Sequence, residues 1–207
     1  ATLIFDGAMS QARVYVNGVE VGFWPYGYNS FHFDVTPYVR EGVNELAVRL
    51  ENESDSSRWY PGAGLYRNVH LITTNKTHIP VWGTHVTTPH VEKEFATVRL
   101  RTNVNTAKGE NLKVKTSIYT KDKQKVGEKT TTLKAGNNLE KIDQNMLVEN
   151  PKLWSPESPN LYTAVTTILV DNKEVDRYET RFGFRTVEVV AERGFYLNGE
   201  RRKFQGV

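Results

Sequence analysis

Residues 12–23 read Ala-Arg-Val-Tyr-Val-Asn-Gly-Val-Glu-Val-Gly-Phe. Ala12, Val14 and Val16 alternate with Arg13 and Tyr15, and the alternation resumes after the Asn-Gly dipeptide. A period of two residues is typical of a half-buried strand, whereas an amphipathic helix repeats every 3.6 residues. Asn-Gly between two alternating runs is a strong hairpin signal, because both turn residues adopt positive φ. The stretch therefore predicts a β-hairpin.

Further apolar runs of the same kind continue along the chain. No stretch of the first 74 residues keeps the apolar spacing of an amphipathic helix over several turns. The runs are Phe31–Val35, Leu46–Leu50, Val69–Ile72, Ala96–Val104, Leu112–Ile118, Thr130–Leu133, Leu161–Val170 and Val175–Phe184. About seven short strands over the ~105 residues that begin near Val81 predict an immunoglobulin-like sandwich. The fold class is therefore all-β.

The breaks between these runs predict a domain organisation. Residues 1–74 form one β-domain, residues 75–80 form a linker without an apolar pattern, and residues 81–190 form the sandwich. Residues 191–207 form a third piece, in which Asn198-Gly199 joins two short strands.

Composition excludes several classes of function. The net charge of +3 among 207 residues is too balanced to indicate a nucleic-acid or membrane surface, and the absence of Cys excludes disulfides and thiolate chemistry. No apolar run is long enough for a membrane helix, and no leader segment is recognisable, so the compartment stays open. The five His lack metal-site spacing, and we expect no metal site in this chain.

One loop has a composition suited to sugar binding. Residues 54–67 combine Asp55, Arg58 and Arg67 with Trp59, Tyr60 and Tyr66. Aromatic faces stack on the C–H faces of pyranose rings, while charged groups hold hydroxyls. The alternative is a buried loop that packs Trp59 and Tyr66 beneath a sandwich, with Arg67 paired structurally.

Several motifs, in order along nearly the whole chain, resemble glycoside hydrolase family 2. They are Phe5-Asp6-Gly7, Val14–Gly18, Phe33–Thr36, Gly42–Val48, Ser57–Gly62, Asn150–Glu157, Pro159–Tyr162, Phe182–Arg185 and Phe195–Gly199. The form Arg58-Trp59-Tyr60-Pro61-Gly62 is more similar to the β-galactosidase branch than to the glucuronidase or mannosidase branches.

The resemblance implies a partial jelly-roll sugar-binding domain, the immunoglobulin-like sandwich, and a short β-hairpin that leads toward an absent catalytic TIM barrel. It implies that the two catalytic glutamates lie on that barrel, so no catalytic residue is expected in this chain. Asp55, Arg58 and Trp59 become the candidate substrate-binding residues. In β-galactosidases of this type an acidic residue just before the Trp contacts the sugar and its bound cation. Here Ser57 stands two residues before Trp59 and the nearest acidic residue is Asp55, so the length of the loop decides whether Asp55 can reach the sugar.

The resemblance also implies a carbohydrate, a β-galactoside, as the partner of the complete enzyme, with no nucleic acid and no membrane. It leaves open a homo-oligomer, and a divalent or sodium ion in the complete enzyme. Two functions compete. The chain is either the non-catalytic portion of a retaining exo-β-glycosidase, or a free-standing carbohydrate-binding or adhesive β-sandwich module.

Overall fold

The computed structural model describes residues 1–55, 58–60 and 62–204, which contain sixteen β-strands and no helix. The predicted all-β class is confirmed. Within those ranges there is accordingly no helix long and apolar enough to cross a membrane. The chain divides into two compact units, Ala1–Thr74 and Asn75–Val207.

The first unit contains two three-stranded antiparallel sheets. Its strands are β1 (Thr2–Phe5), β2 (Ala12–Val16), β3 (Val19–Trp24), β4 (Phe31–Asp34), β5 (Leu46–Arg49) and β6 (Val69–Ile72). One sheet has the order β4-β1-β6 and the other has the order β3-β2-β5. The central strands β1 and β2 therefore have the best-buried core faces.

The predicted hairpin joins β2 and β3. Asn17 and Gly18 have φ angles of 52° and 81°, as a two-residue turn of this kind requires. The core face of β2 is fully apolar and buried. Phe5 and Phe31 belong to the same core, and their rings stack on each other with centroids 4.8 Å apart. Gly22 leaves room for Phe33, since a Cβ at Gly22 would lie only 2.3 Å from that ring.

We expect the first unit to be the less stable part of the chain. Its strands are four to six residues long, whereas the strands that form the sandwich of the second unit are eight to eleven residues long. Short sheets with free edges open more readily. Backbone amides in 12–50 should therefore exchange hydrogen faster than those in 95–170. Equal protection would contradict this prediction.

The second unit is a sandwich of a four-stranded and a three-stranded antiparallel sheet, with orders β10-β9-β12-β13 and β11-β8-β7. The strands are β7 (Thr84–Val91), β8 (Phe95–Asn105), β9 (Asn111–Tyr119), β10 (Lys125–Lys134), β11 (Leu139–Glu149), β12 (Tyr162–Val170) and β13 (Lys173–Phe182). These seven strands correspond in number to the immunoglobulin-like sandwich predicted from the sequence.

Residues 75–80 are bound to the second unit by specific contacts, although the sequence suggests a linker. Thr77 and Ile79 are buried. The amide nitrogen of Ile79 donates to Asp176 Oδ2 at 2.7 Å, and the Asn75 side chain donates to the Val175 carbonyl at 2.6 Å. The segment therefore forms part of the sandwich.

The C-terminal hairpin is part of a small three-stranded sheet. Asn198 and Gly199 have φ angles of 53° and 79° and join β15 (Gly194–Leu197) to β16 (Glu200–Arg202). A third strand, β14 (Val187–Val190), pairs with β15, so the sheet begins before residue 191. Asn198 Nδ2 donates to the Trp154 carbonyl at 3.0 Å and connects this sheet to the loop that precedes β12.

The charged outer face of the four-stranded sheet has one strongly perturbed carboxyl group. The ammonium of Lys125 and the hydroxyl of Ser117 lie 3.0 and 2.8 Å from Glu128 Oε2, and Lys115 lies at 3.2 Å. These donors lower the pKa of Glu128 from 4.5 to about 2, chiefly through the Lys125 hydrogen bond. Part of the Lys-rich stretch 113–134 is thus neutralised within the sheet.

This pairing predicts an acid-dependent loss of stability. Because the folded pKa of Glu128 is depressed, its stabilisation is present above pH 4.5 and is lost as the pH falls toward about 2. Glu128→Gln should lower the free energy of unfolding near pH 7 by about 1 kcal/mol, a value reduced for solvent screening. Urea unfolding of both proteins should converge near pH 2. Glu174→Gln, at an exposed position, is the control, and an unchanged pH profile for Glu128→Gln would contradict the prediction.

Candidate functional site

The loop between β5 and β6 passes from one sheet of the first unit to the other, and its C-terminal half is anchored firmly. Gly64 and Met9 exchange two backbone hydrogen bonds of 3.1 Å. The Tyr66 hydroxyl donates to the Gly27 carbonyl at 2.8 Å, and Arg67 Nη1 donates to the Asp6 carbonyl at 3.4 Å. These contacts fix the point from which the preceding residues project.

Trp59 belongs to an exposed group of aromatic side chains. Its indole Nε1 donates to the Tyr28 hydroxyl at 2.8 Å, and the two ring centroids lie 6.4 Å apart. Tyr26 packs edge-to-face on Tyr28 with centroids 5.6 Å apart. The three side chains, which we call the aromatic cluster, are 59%, 41% and 56% exposed for Trp59, Tyr28 and Tyr26. Such rings provide apolar faces with polar edges at the surface.

Asp55 and Arg58 lie on the same loop, and both are exposed. Asp55 has a φ of 56°, a left-handed conformation that Asp tolerates better than most residues. The loop therefore brings a carboxylate and a guanidinium into the same short segment as Trp59, with donors and acceptors that solvent can reach. Ser57, to which the family resemblance points, lies outside the described residues.

The buried-loop alternative is wrong about the burial of Trp59 and of Tyr66, which is 44% exposed, and correct about the structural pairing of Arg67. Trp59 and Tyr60 are largely exposed and do not pack beneath a sandwich. Arg67, by contrast, has a structural role, since its guanidinium carbon lies 5.2 Å from the Tyr66 ring centroid and its Nη1 binds the Asp6 carbonyl. The loop thus combines an anchored base with an exposed tip.

Sequence reasoning missed Tyr26 and Tyr28. They lie between β3 and β4, about thirty positions before Trp59, and sequence periodicity does not report contacts between loops. The available signal was the density of aromatic residues in Trp24-Pro25-Tyr26-Gly27-Tyr28, which is high for a connection between strands.

No group of side chains that could hold a metal ion is present in the described parts of the chain. Within 1–55, 58–60 and 62–204, no three His, Asp or Glu side chains gather in a way that could hold an ion. The described residues of the loop thus do not by themselves form a complete ion site. The carboxyl groups with a shifted pKa are Glu110, Glu128, Asp143 and Glu157, and hydrogen bonds lower the pKa in each case.

Comparison with protein-family models shows the family to which the chain belongs. Residues 1–75 match the model "Glycosyl hydrolases family 2, sugar binding domain", and residues 77–185 match the model "Glycosyl hydrolases family 2". The chain belongs to glycosyl hydrolase family 2. The boundary between the two matches coincides closely with the boundary between the two compact units.

Individual family 2 relatives match nearly the whole chain, but they are named for two different activities. The chain is 40% identical over 98% of its length to "Beta-galactosidase BoGH2A" from Bacteroides ovatus, and 39% identical over 98% to a "Putative beta-glucuronidase" from Formosa agariphila. It spans only 24% and 19% of those proteins. A crystal structure of a family 2 member from Bacteroides cellulosilyticus superposes with a TM-score of 0.93 at 35% identity, over 99% of this chain and 29% of that one.

Proposed function

We propose that this chain is the non-catalytic portion of a retaining exo-β-glycosidase that hydrolyses terminal β-D-galactosides. The observation that carries the sugar assignment is the 40% identity, across 98% of the chain, to a relative named a β-galactosidase. The form of the segment from Arg58 to Gly62 supports the same assignment. A β-glucuronidase is the second candidate, and it is favoured by the 39% identity to the relative from Formosa agariphila.

We assign the tip of the loop from Asp55 to Trp59 to the wall of the sugar pocket in the complete enzyme. Trp59, held by Tyr28, offers an aromatic face to the C–H face of a pyranose ring. Asp55 accepts hydrogen bonds from sugar hydroxyls, and Arg58 donates them. Contacts to hydroxyls far from the scissile bond lower the barrier when they strengthen in the transition state.

The proposal is tested on the complete parent protein with two chromogenic substrates, a β-galactoside and a β-glucuronide. We expect the kcat/KM for the galactoside to exceed that for the glucuronide. The reverse order would assign the glucuronidase activity instead. Activity on neither substrate, together with an intact mass near that of the 207-residue chain, would favour the free-standing carbohydrate-binding module.

A further inference from the structure

The loop between β3 and β4 carries two exposed tyrosines on an anchored backbone. A Cβ at Gly27 would lie 2.5 Å from Met9 Sδ, so the backbone at Gly27 packs directly against that side chain. The Gly27 carbonyl also accepts the hydrogen bond from the Tyr66 hydroxyl. Tyr26 and Tyr28 flank this glycine in the sequence. Their backbone is therefore held from two directions, while their rings remain exposed to water.

The three rings of the aromatic cluster leave one another's faces largely uncovered. The ring of Tyr28 meets that of Trp59 at an interplanar angle of 58° and that of Tyr26 at 63°, so neither contact is a parallel stack. Trp59 and Tyr26 are both more than half exposed. Several large apolar groups that stay in water side by side, on an anchored backbone, are typical of a binding surface.

We propose that Tyr26 contacts the sugar unit that follows the terminal one, on the other side of the scissile bond. This inference rests on the proposed function, which assigns Trp59 to the wall of the sugar pocket. A pyranose ring is about as wide as a phenyl ring, so a terminal sugar stacked on Trp59 leaves Tyr26 available for the next unit. The substrate class is therefore a β-linked disaccharide or a longer oligosaccharide.

Two observations favour a sugar as the ligand of Tyr26. Ring contacts run from Trp59 through Tyr28 to Tyr26 without interruption, so a ligand that extends beyond Trp59 meets Tyr26. In addition, all three residues lie within residues 1–75, which match the family model described as a sugar binding domain. The face of a tyrosine ring suits the C–H face of a pyranose, and its hydroxyl suits the sugar hydroxyls at the edge.

The test compares two substrates of the complete parent protein that share the terminal sugar it cleaves. One is the methyl β-glycoside of that sugar, and the other is the same sugar β-linked to a second pyranose. Release of the terminal sugar is measured for both. Tyr26→Ala should lower kcat/KM for the disaccharide about 10-fold and change kcat/KM for the methyl glycoside by less than about twofold, because only the disaccharide has a second ring.

The comparison of substrates distinguishes contact from support. Equal losses with both substrates would mean that Tyr26 only supports Trp59 through Tyr28, and they would overturn the proposal, as would unchanged kinetics with both. Phe23→Ala is the matched control, since Phe23 is a 40% exposed ring of the same unit on β3. It should leave the ratio of the two kcat/KM values unchanged. Partial unfolding would lower both values together, and the Tm of each variant measures it.

Trp59→Ala separates this inference from the proposed function. It should lower kcat/KM for both substrates, because Trp59 faces the terminal sugar that they share. No effect on either substrate would contradict the assignment of Trp59 to the pocket wall. If Trp59→Ala lowers both values and Tyr26→Ala lowers neither, only the present inference fails. If the parent cleaves neither substrate, calorimetric titration with the disaccharide replaces the kinetics. Tyr26→Ala should then raise the Kd about 10-fold, and an unchanged Kd would overturn the proposal.

Discussion

The purified 207-residue chain should not cleave a chromogenic β-galactoside. Retaining hydrolysis requires two carboxyl groups about 5–5.5 Å apart across the scissile bond, one of which has a raised pKa. The family resemblance assigns both to a catalytic barrel, whereas the two family models match this chain over residues 1–75 and 77–185.

The measurement is the initial rate of nitrophenol release by the chain expressed in a host without β-galactosidase. The complete parent protein at the same molar concentration is the positive control. Without the catalytic pair the chain should show none of the enzyme's rate acceleration over the uncatalysed reaction, which for enzymes is typically at least about 10⁶-fold. Turnover that copurifies with the chain through two unrelated columns would refute the prediction.

The second prediction concerns Arg58 in the complete parent protein. Arg58→Ala should reduce kcat/KM by a factor equivalent to roughly 1–3 kcal/mol, because a transition-state hydrogen bond to a sugar hydroxyl is lost. The Tm should change little, since Arg58 is exposed. Arg40→Ala is the matched control at another exposed arginine of the first unit. If kcat/KM falls only in proportion to a loss of Tm, Arg58 stabilises the loop and does not contact substrate.

Asp55 requires two substitutions because of its backbone conformation. Its φ of 56° is strained for Ala and tolerated by Asn, so Asp55→Asn removes the charge with less disturbance of the loop. We expect Asp55→Asn and Asp55→Ala to lower kcat/KM similarly, by roughly 1–3 kcal/mol. Glu41→Gln controls for a general effect of charge on the first unit. Wild-type kinetics in the Arg58 and Asp55 variants together would exclude a substrate role for the loop.

Much of the second unit could be predicted because its strands alternate regularly. Val98 and Leu100 are buried as their spacing implies. The apolar alternation did not predict strand β11, because the polar residue Gln144 occupies one of its core-facing positions. Its side chain is 1% exposed, and its Nε2 donates to the Val114 carbonyl at 2.9 Å. A buried amide is acceptable where a neighbouring strand supplies an acceptor, and a linear pattern does not show that neighbour.

The first unit shows most clearly which features follow from adjacent residues and which depend on tertiary packing. The sequence alone determined the β2–β3 hairpin, since Asn17 and Gly18 supply the positive φ that its turn requires. The sequence also identified Asp55, Arg58 and Trp59 as candidate substrate-binding residues, because the side-chain chemistry of a residue is known from its type alone. Only the tertiary structure brought the Tyr28 hydroxyl to the indole Nε1 of Trp59, and only it showed Leu46 and Leu71 as core-facing residues that are exposed to water. The physical reason is that turn geometry depends on adjacent residues, whereas burial and contacts between loops depend on strands that pack together from distant parts of the chain.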